Sequence, residues 1–403
     1  MMAKNEDGFA KTWKEIVSSL LKLGVMSYGG PAIMGIMQTE LHEKRHWVTK
    51  DRFVEGLSLV NTLPGAGATQ LAIFLGYARG GWWGGLLGGL CFVLPAFFIM
   101  LFLTIGYSAL GATPIMRGAL YGLGPVVLAI FLAAVYRLGK AAVGTVAQAL
   151  IAVGAATAAV FTSIGIAGIL LVAGGVGLLL FHSRKTGTTV LLSGSVGLAW
   201  LHLTSWSALA PAALHSAPVS QDLQEVAIFF FEVGALTFGG GLSMIAFIQE
   251  QVVNQFHWLT ASEFIDGLAL GQLTPGPILM LAAYVGYKVA GFAGAAVGAA
   301  AIFLPSFMIM LTILPVFDRV RKLVWTKAAM KGIGPAVIGA LTVSLFQLAP
   351  HALPDVFAII VFVASVFALL VWHIGAIKLM IGGSILGVLR SRLTSFFGAS
   401  AAL

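Results

Sequence analysis

The chain of 403 residues is 59% hydrophobic and only 9% charged, against roughly 25% charged residues in a soluble domain. That balance excludes a water-soluble globule, and a lone cysteine, Cys91, excludes a disulfide framework. A net charge of +8 invites a nucleic-acid partner, but the basic residues flank apolar stretches, as membrane orientation requires. No nucleic-acid partner is expected.

In chain order, the N-terminal "MMAKNEDGFAKTWKE" lacks the apolar core of a signal peptide. The apolar run that follows is interrupted at "SYGGPAIM", residues 27 to 34, where two glycines and a proline break the helical pattern. A basic loop, "ELHEKRHWVTKDR" from Glu40, precedes a second interruption, "NTLPGAGATQ" at 61 to 70. The uncharged stretch from Gly81 to Ser108 is long enough to cross a bilayer, which takes roughly 20 apolar residues. No charge occurs between Ala141 and Phe181, which suits two successive spans. After the basic "HSRK" turn a further span is expected from Thr189 to Thr204. The pattern then recurs: a break at "TFGGGLSM", residues 237 to 244, another at "GQLTPGPILM", residues 271 to 280, and an apolar span from Val289. The last span, 374 to 389, is short and contains Lys378. Lipid forces the backbone to bond within each helix, so the expected fold is an all-α polytopic membrane protein.

Shifted by 210 positions, the chain aligns with itself. "LPAFFIML" from Leu94 matches "LPSFMIML" from Leu304 at six of eight positions, and Gly24, Gly29, Gly30 and Glu40 recur as Gly234, Gly239, Gly240 and Glu250. One extra residue in the second copy carries Trp47, Phe53, Gly56, Pro64 and Gly65 to Trp258, Phe264, Gly267, Pro275 and Gly276. Two repeats follow, 10–181 and 222–390, joined by a linking helix and loop, 182–221. Lysine and arginine favour cytoplasmic loops. The 40–52 loop carries Lys44, Arg45, Lys50 and Arg52, while its counterpart "EQVVNQFHWLTASE" carries no lysine or arginine. The later loops are biased the other way: "VFDRVRKLVWTKAAMK" holds five basic residues and "SALGATPIMR" one. The expected architecture is an inverted-topology repeat, typical of secondary transporters. Lys4, Lys11, Lys14 and Lys22 put the N-terminus on the side of the 40–52 loop, so the segment between enters and leaves by one face. Each half is therefore expected to hold two broken or re-entrant helical hairpins and about four transmembrane helices.

Broken backbone at membrane depth is tolerated where it lines a cavity, and a helix starting after a break offers unpaired N–H groups and partial positive charge to an anion. The four breaks therefore define the expected substrate site. Its candidates in the first half are Tyr28, Gly29, Gly30, Asn61, Thr62, Pro64, Gly65, Thr69 and Gln70. In the second half they are Thr237, Phe238, Gly239, Gly240, Ser243, Gln272, Thr274, Pro275, Gly276 and Pro277. A lone threonine or serine more often bonds its own helix; it is the grouping around four breaks that points to binding. Charges in apolar surroundings are further candidates for charge balance or coupling: Lys22, Arg79, Glu232 and Lys288. Interfacial snorkelling competes with that role for Arg79 and Lys288. Glu55 and Asp266 occupy equivalent places before the second breaks. His42 and His46 sit in a cationic loop, so no metal site is expected, and the G-x-x-x-G spacings of "GGWWGGLLGG" suit helix packing. Nucleotide-binding and hydrolase motifs are lacking, so neither an enzyme nor a cofactor is expected.

Together these motifs resemble the chromate ion transporter family in its long, two-domain form. The resemblance rests on "YGGP" at 28–31, "RHWVTKDRFVEGLSLVNTLPG" at 45–65, "QLAIFLGYARGG" at 70–81 and "FVLPAF" at 92–97. In the second half it rests on "FGGG" at 238–241, "HWLTASEFIDGLALGQLTPGP" at 257–277 and "FLPSF" at 303–307. It implies a multi-pass protein of the cytoplasmic membrane that moves chromate out of the cell, with sulfate as a related oxyanion. The chain departs from the family pattern at Ala66, where a second proline is usual, at Asn61, where a glutamine is usual, and at Met34 and Gln38 after "YGGP".

The expected function is export of a tetrahedral oxyanion by alternating access, with the small anion and the lipid bilayer as partners. Another small anion, uptake, a membrane scaffold or a membrane enzyme remain as alternatives, and a homodimer stays open.

Overall fold

The computed structural model of the chain describes residues 6–26, 30–61, 63–110, 113–162, 165–181, 218–237, 243–316 and 325–400. Among the described residues all regular structure is helical. In the first half lie α1 (Glu6–Met26), α2 (Gly30–Met37, continued in wider turns to Lys44), α3 (Lys50–Val60), α4 (Gly67–Leu110), α5 (Pro114–Ala142), α6 (Val146–Phe161) and α7 (Ile166–Phe181). In the second lie α8 (Pro218–Ala235), α9 (Ser243–Gln249), α10 (Ala261–Leu273), α11 (Leu281–Ile313), α12 (Trp325–Ala352), α13 (Val356–Leu370) and α14 (Ala376–Ser400). Each element of the first half has its counterpart seven elements later. The expected linking span, 189–204, lies outside the described residues.

The helix starts are written locally. The Thr49 hydroxyl accepts the Arg52 N–H to open α3, and its counterpart Thr260 forms a reciprocal capping box with Glu263 to open α10. Thr145 and Asp355 do the same for the counterparts α6 and α13.

The apolar stretch of α4 is two helices. At Gly81 the backbone takes φ 64° and ψ −153°, a conformation open in practice only to glycine. Gly291 repeats it in α11, at φ 59° and ψ −147°. The chain reverses there, because Gly76 abuts the backbone of Gly84 and Gly286 that of Gly294. The glycine row expected to serve helix packing thus closes this hairpin. The arm 82–110 is the long helix read from Gly81 onward, and the arm 67–79 doubles back along α3, with Gly56 against the Phe74 ring. In the second half Gly267 meets the Tyr284 ring, and the Tyr284 hydroxyl donates to the Glu263 carbonyl at 2.9 Å. With 11 residues, α3 is about 16 Å long, half of a hydrocarbon core of about 30 Å. Described residues on either side of the first breaks also come together. The Trp47 Nε1 donates to Glu15 at 2.8 Å, and Trp258 lies edge-on to Phe229 at 5.8 Å.

The two halves are interleaved. Helices α6 and α7 pack on α12, while α13 and α14 pack on α5. The contacts are reciprocal: Gly122 and Gly387 meet as Gly332 and Gly177 do, each pair shifted by 210 positions. Equivalent long helices run antiparallel. Gly85 lies by Leu311 and Gly89 by Phe307, while in α5 and α12 Gly139 lies by Ile338 and Ala142 by Gly334.

Large apolar side chains such as Phe102, Phe161, Phe346 and Ile360 face outward, the surface that lipid covers. The segments 67–110, 114–142, 278–316 and 328–352 are long and apolar enough to cross a membrane, with α6, α7 and α13 shorter. The expected last span, 374–389, lies within the longer α14. The chain is a multi-pass helical membrane protein.

Candidate functional site

The second break of each half docks on the other half. The Gly65 N–H donates to the Thr237 carbonyl at 2.7 Å, and the Ala66 N–H donates to Ser306 Oγ on α11 at 2.7 Å. Gly65 holds φ +122°, with no room for a side chain: a Cβ there would lie 2.5 Å from both Gln70 Nε2 and Ser306 Oγ. In the second half Gly276, at φ +105°, sits against Ala96 on α4, with the Gly24 carbonyl close behind. Ser306 and Ala96 are counterparts, as are Ala66 and Pro277. Proline has no N–H to donate, and the alanine opposite has no hydroxyl to receive one. The departure at "PGAG" is therefore matched by a serine on the other repeat.

By the antiparallel register, Val93 of α4 comes level with Phe303 of α11. Ala96 and Ser306 each lie three residues beyond, about 4.5 Å. The two breaks flank this crossing from opposite sides. Among the described residues the second break of each half is thus joined to the other half, on either side of one crossing.

The start of α4 has the properties of an anion site. The Gly67, Ala68 and Thr69 amides open the helix without intrahelical acceptors, and Thr69 and Gln70 are fully buried. Gln70 Nε2 donates to the Pro64 carbonyl at 2.6 Å. Among the described residues Thr69 Oγ1 and Gln70 Oε1 have no partner, which is costly unless another group, a ligand or a water supplies one. The Met34 side chain of α2 reaches Gly67, so the first half's own first broken segment also borders this site.

Other candidates fare differently. The Thr237 and Thr274 hydroxyls donate to Val233 and Leu270 of their own helices, at 2.6 Å and 2.8 Å. Both hydroxyls are thus satisfied within their own helices, and Thr274 Oγ1 also lies 3.4 Å from Met100 Sδ of the first half. Asn61 is exposed and Gln272 half-buried, Pro64 is half-buried, and Pro275 and Pro277 are buried in the turn. Gly30 opens α2 and Ser243 opens α9. Tyr28, Gly29, Thr62, Phe238, Gly239 and Gly240 lie outside the described residues.

Among the charges, Arg79 is held by Glu15 Oε2 through Nη2 at 2.8 Å and Nε at 3.1 Å. Lys22 and Glu232 are both exposed on their helices. Lys288 pairs with Glu263 at 2.7 Å and faces a cavity. Glu55 pairs with Arg52 at 2.8 Å, whereas its counterpart Asp266 lines the cavity and accepts the Tyr107 hydroxyl at 3.0 Å. Sequence reasoning missed Ser306 and Tyr107. For Ser306 the signal was present, since "LPSF" differs from "LPAF" at that one polar position.

Helices long and apolar enough to cross a membrane, an apolar exterior and helix breaks at the contact of two repeats define a polytopic membrane protein. The chain belongs to the chromate transporter family, whose model matches twice, at residues 14–178 and 224–388. It is 33% identical over 358 residues to the chromate transport protein of Cupriavidus metallidurans, covering 86% of this chain and 84% of that protein. It is 34% identical over 349 residues to the probable chromate transport protein of Synechococcus elongatus, covering 86% and 87%. It is 31% identical over 379 residues to the chromate transport protein of Pseudomonas aeruginosa, covering 90% and 88%. No solved structure matches the chain. The family is one of transport proteins, and it implies an oxyanion substrate and a lipid environment.

Proposed function

We propose that the chain is a secondary transporter that exports chromate, or a related tetrahedral oxyanion such as sulfate, across the cytoplasmic membrane by alternating access of two inverted repeats. The observation that carries this reading is the crossed docking of the breaks, in which Gly65 bonds Thr237 and Ala66 bonds Ser306 across the halves. A site with walls from both repeats opens and closes as one repeat rocks against the other. The antiparallel run of equivalent helices supports inversion, since a twofold axis that relates antiparallel helices lies perpendicular to them, within the membrane plane.

In this reading the oxyanion sits at the N-terminus of α4. The first amides and the Thr69 hydroxyl donate to its oxygens, and Gln70 Oε1 accepts from a water or from the O–H of a protonated oxyanion. The α3 hairpin and its α10 counterpart act as re-entrant elements that carry these helix ends to mid-membrane depth. A neutral, hydrogen-bonding site binds a dianion without fixing it, which a transport cycle needs for release.

Everted membrane vesicles with and without the protein test the reading. Protein-dependent accumulation of chromate is expected under an imposed ion gradient. The absence of protein-dependent movement of chromate and sulfate in either direction overturns it.

A further inference from the structure

A cavity of about 490 Å³ opens between α4, α5, α10, α11 and α12, lined by Tyr107, Arg117, Tyr121, Asp266, Lys288 and His351. Asp266 stands at the open end of the α10 hairpin, eight residues and about 12 Å along α10 from Thr274 at the second break. A water occupies roughly 30 Å³, so the cavity admits a tetrahedral oxyanion with part of its hydration shell.

The charges around it are nearly balanced. Arg117 is exposed and has no ion pair among the described residues. Lys288 is paired with Glu263 and lies 5.8 Å from the centre of the Tyr107 ring. Tyr107 in turn donates to Asp266, with its ring 5.9 Å from that of Tyr284. Behind Tyr121, Arg390 and Asp355 neutralise each other. The cations Arg117 and Lys288 and the carboxylates Glu263 and Asp266 cancel. Neutralising either carboxylate leaves the cavity positive.

We propose that this cavity is a second anion station, where a divalent tetrahedral oxyanion binds in soluble form at one mouth of the transport path, and that the Asp266 carboxylate sets its affinity by opposing Arg117 and Lys288. The ligand class rests on the oxyanion-transport reading above; the station itself rests on the cavity and its charges. An anion leaving a buried site regains water here beside compensating cations, which lowers the electrostatic cost of crossing between low and high dielectric. The counterpart carboxylate, Glu55, is committed to Arg52, so the station belongs to one end of the molecule.

The full chain carrying Ser108→Cys reports on the cavity, since Ser108 lines it and Cys91 is buried. In nanodiscs of zwitterionic lipid, millimolar sulfate is expected to slow modification of the introduced thiol by a neutral thiol reagent, and chloride at equal ionic strength is not. Arg117→Gln should remove the protection and Arg117→Lys should keep it. Asp266→Asn should lower the half-protecting sulfate concentration about fivefold, the effect of one unit charge a few ångströms away in a wet site. Glu263→Gln should shift it the same way, and serves if the first variant fails to fold. Absence of sulfate protection, protection that survives Arg117→Gln, or weaker protection in the carboxylate variants overturns the proposal. Protection of the introduced thiol by anionic phospholipid in the discs, with no response to sulfate, assigns the site to a lipid headgroup and also overturns it. Labelling requires no flux, so lost protection with chromate transport intact rejects the station alone. Intact protection without transport rejects the transport reading alone.

Discussion

Gly122 on α5 and Gly387 on α14 are packed so closely that a Cβ on Gly122 would lie 2.9 Å from the Cα of Gly387. Their counterparts Gly332 and Gly177 make the same contact between α12 and α7. These contacts hold the last helix of each repeat on the other repeat. Gly122→Ala and Gly332→Ala should each cost about 1–3 kcal/mol by overpacking, read as a lower melting temperature in detergent. Gly382→Ala, on an open face of α14, should leave it level or raise it, since alanine is the better helix former.

The bond from Ala66 to Ser306 predicts a specific non-additivity. Ser306→Ala leaves a buried amide unpaired, and Ala66→Pro leaves the serine hydroxyl without its donor; each should cost about 1–3 kcal/mol. The double variant recreates the Pro277 and Ala96 combination of the other repeat. It should be clearly less damaged, in thermal stability and in initial transport rate, than the sum of the single losses. Additive losses would show that the two positions do not communicate.

Thr69 offers a buried hydroxyl with no partner among the described residues. Thr69→Val keeps its shape and deletes the donor. Hydrogen bonds to charged groups are worth about 1.5–3 kcal/mol, so the KM for the transported oxyanion should rise about tenfold or more while the melting temperature stays level or rises. The same substitution at Thr274, whose hydroxyl bonds its own helix, should move KM little.

Asp355 predicts a pH dependence. Hydrogen bonds from Arg390 and Tyr121, and from the Ala358 amide, hold its carboxyl well below the usual carboxylate range. A carboxyl depressed in the folded state adds stability in its ionised form, complete above the unfolded value of about 3.9 and lost as pH falls below it. Asparagine caps a helix as well as aspartate, so Asp355→Asn isolates the charge. The variant should melt below the wild type at pH 7, and the gap should narrow below about pH 4.

The repeat was legible in the sequence because its markers are rigid requirements: a glycine at 65 and 276 where φ is positive, and glycines at 24 and 234 where a neighbouring backbone leaves no room for a side chain. The reversal at Gly81 was legible only in part: the long span was read from Gly81 onward, but it takes the contact of Gly76 with Gly84 to show that the preceding arm folds back on it. The exchange of α6 and α7 for α13 and α14 was hidden, because glycine spacing shows that a helix packs closely but not against which neighbour. At the site, grouping threonines around the breaks found Thr69, but Thr237 and Thr274 bond inward, a choice of rotamer that no spacing encodes. Ser306 differs from Ala96 by one hydroxyl, and no spacing encodes that this hydroxyl receives an amide from the other repeat.

The opposite orientation of the two repeats is tested most directly by sidedness at Arg45 and His257, which are both exposed and occupy neighbouring, nearly equivalent places in the two halves. With Cys91 replaced by alanine, cysteines introduced singly at 45 and 257 are exposed to a membrane-impermeant thiol reagent in intact cells and in everted vesicles. Position 257 should react in intact cells and position 45 in everted vesicles. Reaction of both positions from the same face would contradict the inverted arrangement and the alternating-access cycle built on it.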